Sequence, residues 1–247
     1  VNTAPVAEAF VSFQGEGPWV GLRQLFVRVR GCDLACRYCD TPAAREMEGP
    51  CRVELEPGSG NFEEWENPLT AAAILEAFLP SAGKLHSLTL TGGEPLLYPK
   101  FVTDFCACAA QWGVPVYLET GGHRPRELAC VVGGVSVVAM DFKLPSTVGT
   151  VVEAGRFVDS YRVALQRRVC VKMVVAAQTP VREVAEACEQ LAAVDPRGPV
   201  ILQPVTPVVP ELQPPGPARL HELYAAAAQH MREVRVMPQC HRLLGVI

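Results

Sequence analysis

The pattern of apolar and polar positions changes period along the chain. Residues 6–13 and 23–30 alternate as strands do, and Gly15-Glu16-Gly17-Pro18-Trp19 between them supplies the turn of an opening hairpin. Residues 42–67 follow no clear period, contain the turn Gly58-Ser59-Gly60, and read as an irregular insertion. A helix is expected to begin at Asn67-Pro68, with Asn67 as its cap, and to run through Ile74, Leu75, Phe78 and Leu79. Beyond it, short apolar runs at 86–91, 114–119, 135–141, 169–175, 199–203 and 234–237 alternate with helical patterns near 100–112, 125–132, 156–167, 180–193 and 217–231. Gly113 is placed to stop the first of these helices.

The runs are rich in β-branched residues and apolar on both faces, as parallel strands covered by helices should be. After the hairpin they fall short of the eight strands of a closed barrel. The expected fold is therefore α/β: a partial, open TIM-like β/α barrel with an N-terminal β-hairpin, one domain over residues 1–247. The proline-rich piece from Gln203 to Pro217 reads as one long loop.

Composition adds limits. Hydrophobic residues make up 49% of the 247 and charged ones 19%, which suits a single core and excludes a disordered chain. A net charge of −4 gives no footprint for nucleic acid or an anionic membrane. Val131 to Met140, the longest apolar run, is too short to span a bilayer. Val1-Asn2-Thr3-Ala4-Pro5 has neither the basic start nor the apolar core of a signal peptide, so the cytoplasm is the expected compartment. Of ten cysteines, those at 51, 106, 108, 130, 170, 188 and 240 fall mostly inside apolar patterns and read as core.

The other three carry the chemistry. Cys32, Cys36 and Cys39 stand within eight residues, directly after the second strand. Three thiolates on one loop suit an iron–sulfur cluster with one iron left open to a small ligand. Competing readings are three core cysteines, a zinc site that borrows a histidine, and a redox pair of Cys36 and Cys39. The remaining strands end in unusual words: Thr91-Gly92-Gly93-Glu94-Pro95, Glu119-Thr120-Gly121-Gly122, Asp141-Phe142-Lys143, Gln203-Pro204-Val205-Thr206 and Pro238-Gln239-Cys240-His241. In a barrel these ends share one face, where active sites are built. Gly92 and Gly93 would let backbone approach a ligand, and Glu94 would accept from an ammonium.

A CxxxCxxC loop after the first barrel strand, followed by Thr91-Gly92-Gly93-Glu94-Pro95 after the second, resembles the radical S-adenosylmethionine enzymes. Phe13-Gln14-Gly15-Glu16-Gly17, Phe26-Val27-Arg28-Val29-Arg30-Gly31-Cys32, Cys39-Asp40-Thr41 and Val234-Arg235-Val236-Met237-Pro238-Gln239-Cys240-His241 narrow the resemblance to the 7-carboxy-7-deazaguanine synthase family, known as QueE. That resemblance implies conversion of 6-carboxy-5,6,7,8-tetrahydropterin to 7-carboxy-7-deazaguanine with loss of ammonia. It implies a 4Fe-4S cluster on Cys32, Cys36 and Cys39, S-adenosyl-L-methionine as a cofactor returned after each cycle, and Mg2+ on the Thr41 hydroxyl.

Substrate binding is implied for Phe13, Gln14, Gly15, Glu16, Arg28, Thr91, Glu119, His241 and the α-carboxylate of Ile247. In this reading the Gln14 amide offers a donor and an acceptor to the pterin, and the Arg28 fork pairs with its carboxylate. Adenosylmethionine contacts are implied for Tyr38, Asp40, Gly93, Asp141, Phe142, Lys143, Gln203, Pro204, Val205 and Thr206. The sequence departs from the family where Asp141-Phe142-Lys143 replaces a common Ser-Pro-Lys, and where Gly121 replaces a common Asn. Implied partners are a reducing protein such as flavodoxin or ferredoxin and a second copy of the chain. The rivals are an activase that plants a glycyl radical on a protein, since Asp141-x-Lys143 resembles a word of those enzymes, and a noncatalytic zinc module.

Overall fold

A computed structural model describes residues 2–149 and 152–246. The short strand β1 (Thr3–Ala4) leads into β2 (Val6–Phe13), which returns as β3 (Arg23–Val29) in the expected antiparallel hairpin. Alternation sorts its side chains: Ala9, Val11, Leu25, Val27 and Val29 enter the main core, while Phe10 and Phe26 stack at 5.4 Å on the opposite face.

Segment 42–67 is more regular than its sequence suggests. It supplies β4 (Cys51–Glu54), parallel to β2, and β5 (Glu63–Trp65), antiparallel to β4, so it widens the sheet. Asn67 is not a helix cap. Its side chain bonds the backbone of Val6 and Gly49, and β6 (Leu69–Thr70) pairs with β1 before the helix α1 (Ala71–Phe78) begins. The cap is Thr70, whose hydroxyl accepts from the Ala73 amide at 3.1 Å.

The strand–helix alternation follows as β7 (Ser87–Gly92), α2 (Pro99–Trp112), β8 (Val116–Thr120), α3 (Pro125–Val131), β9 (Val137–Asp141), α4 (Pro145–Val148), α5 (Ala154–Ala164) and β10 (Arg168–Val175). It ends with α6 (Val181–Ala192), β11 (Val200–Pro204), α7 (Pro217–Ala228), β12 (Val234–Val236) and α8 (Cys240–Leu244). Gly113 ends α2 in the left-handed conformation, as its sequence position suggests.

One sheet of ten strands runs β12-β11-β10-β9-β8-β7-β3-β2-β4-β5. From β3 to β12 every pairing is parallel. The two ends do not pair, so the barrel stays open, and all seven parallel strands deliver their C-terminal ends to one rim. The main core lies between the sheet and its helices, with Phe78, Phe101, Phe105, Phe157 and Tyr161 fully buried. A second apolar group, Tyr117, Val137, Ala139 and Cys170, fills the concave side, and Trp19 from the hairpin turn meets Tyr117 edge-on at 5.5 Å. The space above it, toward the rim, is left for a ligand.

Candidate active site

One cleft at this rim gathers the words read from the strand ends. The cysteine loop brings Cys32, Cys36, Tyr38, Cys39, Asp40 and Thr41 to its wall. The hairpin brings Phe13, Gln14, Gly15, Glu16 and Arg28, and the strand ends bring Thr91, Gly93, Glu119, Asp141, Lys143, Gln203, Val205 and Thr206. His241 reaches it from the tail. Two expected residues face elsewhere. Phe142 packs in the core against Phe157, with ring centroids 4.8 Å apart, and Pro204 is absent from the lining. Ile247 lies outside the described residues.

The three thiols are free and half-buried. Burial pushes the Cys32 thiol up to about 11 and also raises Cys36. Metal binding would displace those protons. Among the described residues, the group whose ligand atoms crowd within 4.8 Å of one another is Glu16, Asp40 and His241, not the cysteines. A single zinc ion, with bonds of about 2.3 Å to sulfur, draws its ligands closer than this loop holds its thiols. Three free thiols lining one cleft suit a cluster that takes one thiolate per iron. His241, the histidine a zinc site would need, sits with the two carboxylates instead.

The glycines act on protein, not only on a ligand. A Cβ at Gly93 would lie 1.9 Å from the Gly31 carbonyl oxygen, because the Gly93 and Glu94 amides bond Val29 and Gly31 at the root of the cysteine loop. Glu94 is likewise engaged. Fully buried, it accepts from the Leu96 amide, the Thr120 hydroxyl and the Gly121 amide at 2.7–3.0 Å. It joins the words of the second and third barrel strands, Thr91 to Pro95 and Glu119 to Gly122, rather than waiting for an ammonium, and burial raises its pKa against the pull of His123.

Gln14 also differs from expectation. Its amide nitrogen donates to Gln24 at 3.0 Å and Glu119 at 2.9 Å, and its oxygen accepts from the Glu16 amide. With both hydrogens used, Gln14 retains only acceptor capacity for a ligand. Its main effect is to fix Glu119, whose other oxygen accepts from Thr91 at 2.7 Å. Beneath them Gln24 is wholly buried, accepting from Thr89 at 2.6 Å and donating to Ser87 at 2.7 Å. Arg28 donates from Nε to Glu8 at 2.8 Å, and its terminal nitrogens make no hydrogen bond among the described residues, so the fork faces the cleft free.

On the opposite wall Lys143 bonds Asp141 at 2.6 Å and stands 5.2 Å over the Tyr38 ring. Lys172, which the strand-end words do not include, bonds Glu16 and lies 3.7 Å from Asp141, so one cation joins hairpin and strand ends. Gln239 donates to Glu16 at 2.8 Å and Asp40 at 2.9 Å. Burial would raise Glu16, but Lys172, Gln239 and His241 hold it down at about 2. Burial lowers His241 and keeps it neutral at neutral pH.

Residues 26–166 match the Radical SAM superfamily. The chain is also 39% identical over 246 residues to the 7-carboxy-7-deazaguanine synthase of Geobacter sulfurreducens, covering 98% of this chain and 97% of that protein. It is 33% identical over 260 residues to the 7-carboxy-7-deazaguanine synthase of Thermococcus kodakarensis, with 98% of both covered. The chain belongs to the 7-carboxy-7-deazaguanine synthase family of radical SAM proteins. Radical SAM membership implies use of an iron–sulfur cluster and adenosylmethionine. The crystal structure of QueE from Escherichia coli shares the fold, at a TM-score of 0.59 and 18% identity over 97% of this chain and 95% of that one. Within this family frame Lys172 has one signal in the sequence: it is the only charge inside the otherwise apolar run from Val169 to Val175. Gln24 and His123 have none, since a polar residue in a strand or after a turn is ordinary.

Proposed function

We propose that the chain is a carbon–nitrogen lyase of the radical SAM type, converting 6-carboxy-5,6,7,8-tetrahydropterin to 7-carboxy-7-deazaguanine with loss of ammonia in deazapurine and queuosine biosynthesis. The full-length likeness to synthases at up to 39% identity carries the reading. Cys32, Cys36 and Cys39 hold a 4Fe-4S cluster. When bound, that cluster would supply the electron for reductive cleavage of adenosylmethionine, the source of the radical. Tyr38, Asp40, Gly93, Asp141, Lys143, Gln203, Val205 and Thr206 form the wall for adenosylmethionine.

The pterin lies toward the hairpin. Arg28 offers its free fork to the substrate carboxylate, a planar match for two hydrogen bonds. Glu119, fixed by Gln14 and Thr91, accepts from the nitrogen-rich edge of the pterin. Phe13 and the stacked Phe10 and Phe26 give this end of the cleft apolar walls. Gly15 admits His241 to the cleft: a Cβ there would lie 2.2 Å from the imidazole Nδ1. Thr41 presents a hydroxyl to Mg2+, a hard cation that takes further oxygens from substrate and water. A flavodoxin or ferredoxin supplies electrons, the working form is a homodimer, and the setting is the cytoplasm. No described helix is long and apolar enough to cross a membrane.

The test is anaerobic, iron-loaded protein with adenosylmethionine, Mg2+, a reductant and the carboxytetrahydropterin. Formation of 7-carboxy-7-deazaguanine with one ammonia per product is expected. Adenosylmethionine cleavage that leaves this pterin untouched, as an activase would show, overturns the assignment.

A further inference from the structure

Between Cys32 and Cys36 the loop has almost no backbone anchorage. Its root is fixed where Gly31 bonds Ala44 and Glu94, and its far half where Arg37 bonds Val148 and Cys39 bonds Cys36. Among the described residues, the amides of residues 32–35 make no backbone bond to the rest of the fold; Leu34 turns back on the Cys32 sulfur at 3.4 Å. Among the described residues, the one hydrogen-bonding tether of residues 32–35 to the rest of the fold is Asp33. Its Oδ1 meets His123 Nε2 at 2.9 Å and its Oδ2 accepts from Arg124 Nη2 at 2.8 Å.

Those two partners come from the residues after Gly121-Gly122, where β8 passes into α3. His123 is 3% exposed, so its ring cannot swing away, and its Nδ1 stands 3.9 Å from Glu94 Oε2 with no hydrogen-bond partner. Arg124 is braced from behind by Glu127 at 3.1 Å. An exposed carboxylate is thus gripped by a buried ring and a braced guanidinium. The same ring abuts the carboxylate that joins the words of the second and third barrel strands.

We propose that Asp33, His123 and Arg124 are positioning residues: a clamp that holds the Cys32 half of the loop in its cluster-binding shape before the cluster arrives and keeps it in register with Glu94. The clamp acts through Cys32 and does not touch the reacting atoms. Two charge-assisted hydrogen bonds on one side chain restrict the loop at the point where its backbone does not. Exposed ion pairs contribute little to global stability, so the effect is local opening and not unfolding of the domain.

This inference rests on the cluster assignment for the three cysteines, and cluster-free full-length protein separates the two. The measurement is the rate at which iodoacetamide alkylates each cysteine, read by mass spectrometry, in the parent, Asp33→Ala, Arg124→Ala and the double variant. Exposed Cys130 serves as the internal reference. The expected result is a roughly tenfold faster Cys32 reaction in Asp33→Ala, an unchanged Cys130, an unchanged melting temperature, and a double variant no faster than Asp33→Ala alone. Because the Asp33 charge also holds the Cys32 thiol up, Arg124→Ala, which keeps that charge and loosens the clamp, should likewise speed Cys32, and an unchanged or slower Cys32 there overturns the clamp. In reconstituted protein, Asp33→Ala should lose iron faster to a chelator than the parent. An unchanged Cys32 rate, or a rise shared by all the cysteines, overturns the clamp. Failure of the parent to take up iron and sulfide overturns the cluster assignment instead and leaves the alkylation result standing.

Discussion

Lys172, the only charge in the apolar run from Val169 to Val175, binds the Glu16 carboxylate of the opening hairpin across the floor of the cleft. Both side chains are less than one-sixth exposed. Removing one member of such a pair strands the other charge, at a cost of about 3 kcal/mol. Lys172→Met should lower unfolding stability by about that amount in urea titrations. The double variant Lys172→Met, Glu16→Gln should recover a good part of the loss, because no uncompensated charge remains.

Acid should act through the same carboxylate. Glu16 titrates at about 2 in the fold against an ordinary 4.5, so on acidification the unfolded chain takes up its proton first. Its contribution to stability is full above 4.5 and is lost as the pH falls toward 2. In Glu16→Gln the stability curve should be flatter over that window. His241 is shifted downward from 6.5 by burial, and so favours the fold above that value and less below it. Its C2 proton resonance should titrate with a midpoint under 6.5.

Gly93 is needed for backbone contact with Gly31, since the atoms a Cβ would meet, the Gly31 carbonyl group and the Ala44 oxygen, belong to main chain and cannot yield as a side chain can. Gly93→Ala should cost about 1–3 kcal/mol and reduce iron uptake on reconstitution. Gly155, inside α5 with open space around it, provides the contrast. Gly155→Ala should be neutral or stabilising by about 0.5 kcal/mol, with iron uptake unchanged.

Gln24 never touches the open cleft, yet its amide receives hydrogen bonds from Gln14 and Thr89 and donates to Ser87. Gln24→Leu leaves those buried groups unpaired and frees Gln14 to turn, which loosens Glu119. Stability should fall by about 2 kcal/mol, and KM for the pterin should rise about tenfold with kcat less affected.

Much of this arrangement is legible in the amino-acid pattern alone. Parallel strands repeat a period, and their C-terminal ends must share a rim, so spacing is enough to place Cys32, Thr91, Glu119, Asp141, Gln203 and His241 together. What the pattern hides depends on partners distant in sequence. Gln14 looks like a ligand-reading amide, but Gln24 and Glu119 take both its hydrogens. Glu94 looks like an open acceptor, but Thr120 and Gly121 fill it. Phe142 shares a word with two cleft residues, and strand alternation turns it into the core while Asp141 and Lys143 face the cleft. Asn67 resembles a cap because Pro68 follows it, and the competing demand for its amide comes from Val6, sixty-one residues away.

The proposed chemistry depends most on one cleft joining radical generation at the cysteine loop to a pterin site lined by the hairpin. The ratio of 7-carboxy-7-deazaguanine formed to 5′-deoxyadenosine released, in anaerobic reconstituted protein with Mg2+, tests it most directly. Many product molecules per deoxyadenosine are expected, because adenosylmethionine is returned after each cycle. A steady release of deoxyadenosine with no deazaguanine product would contradict it.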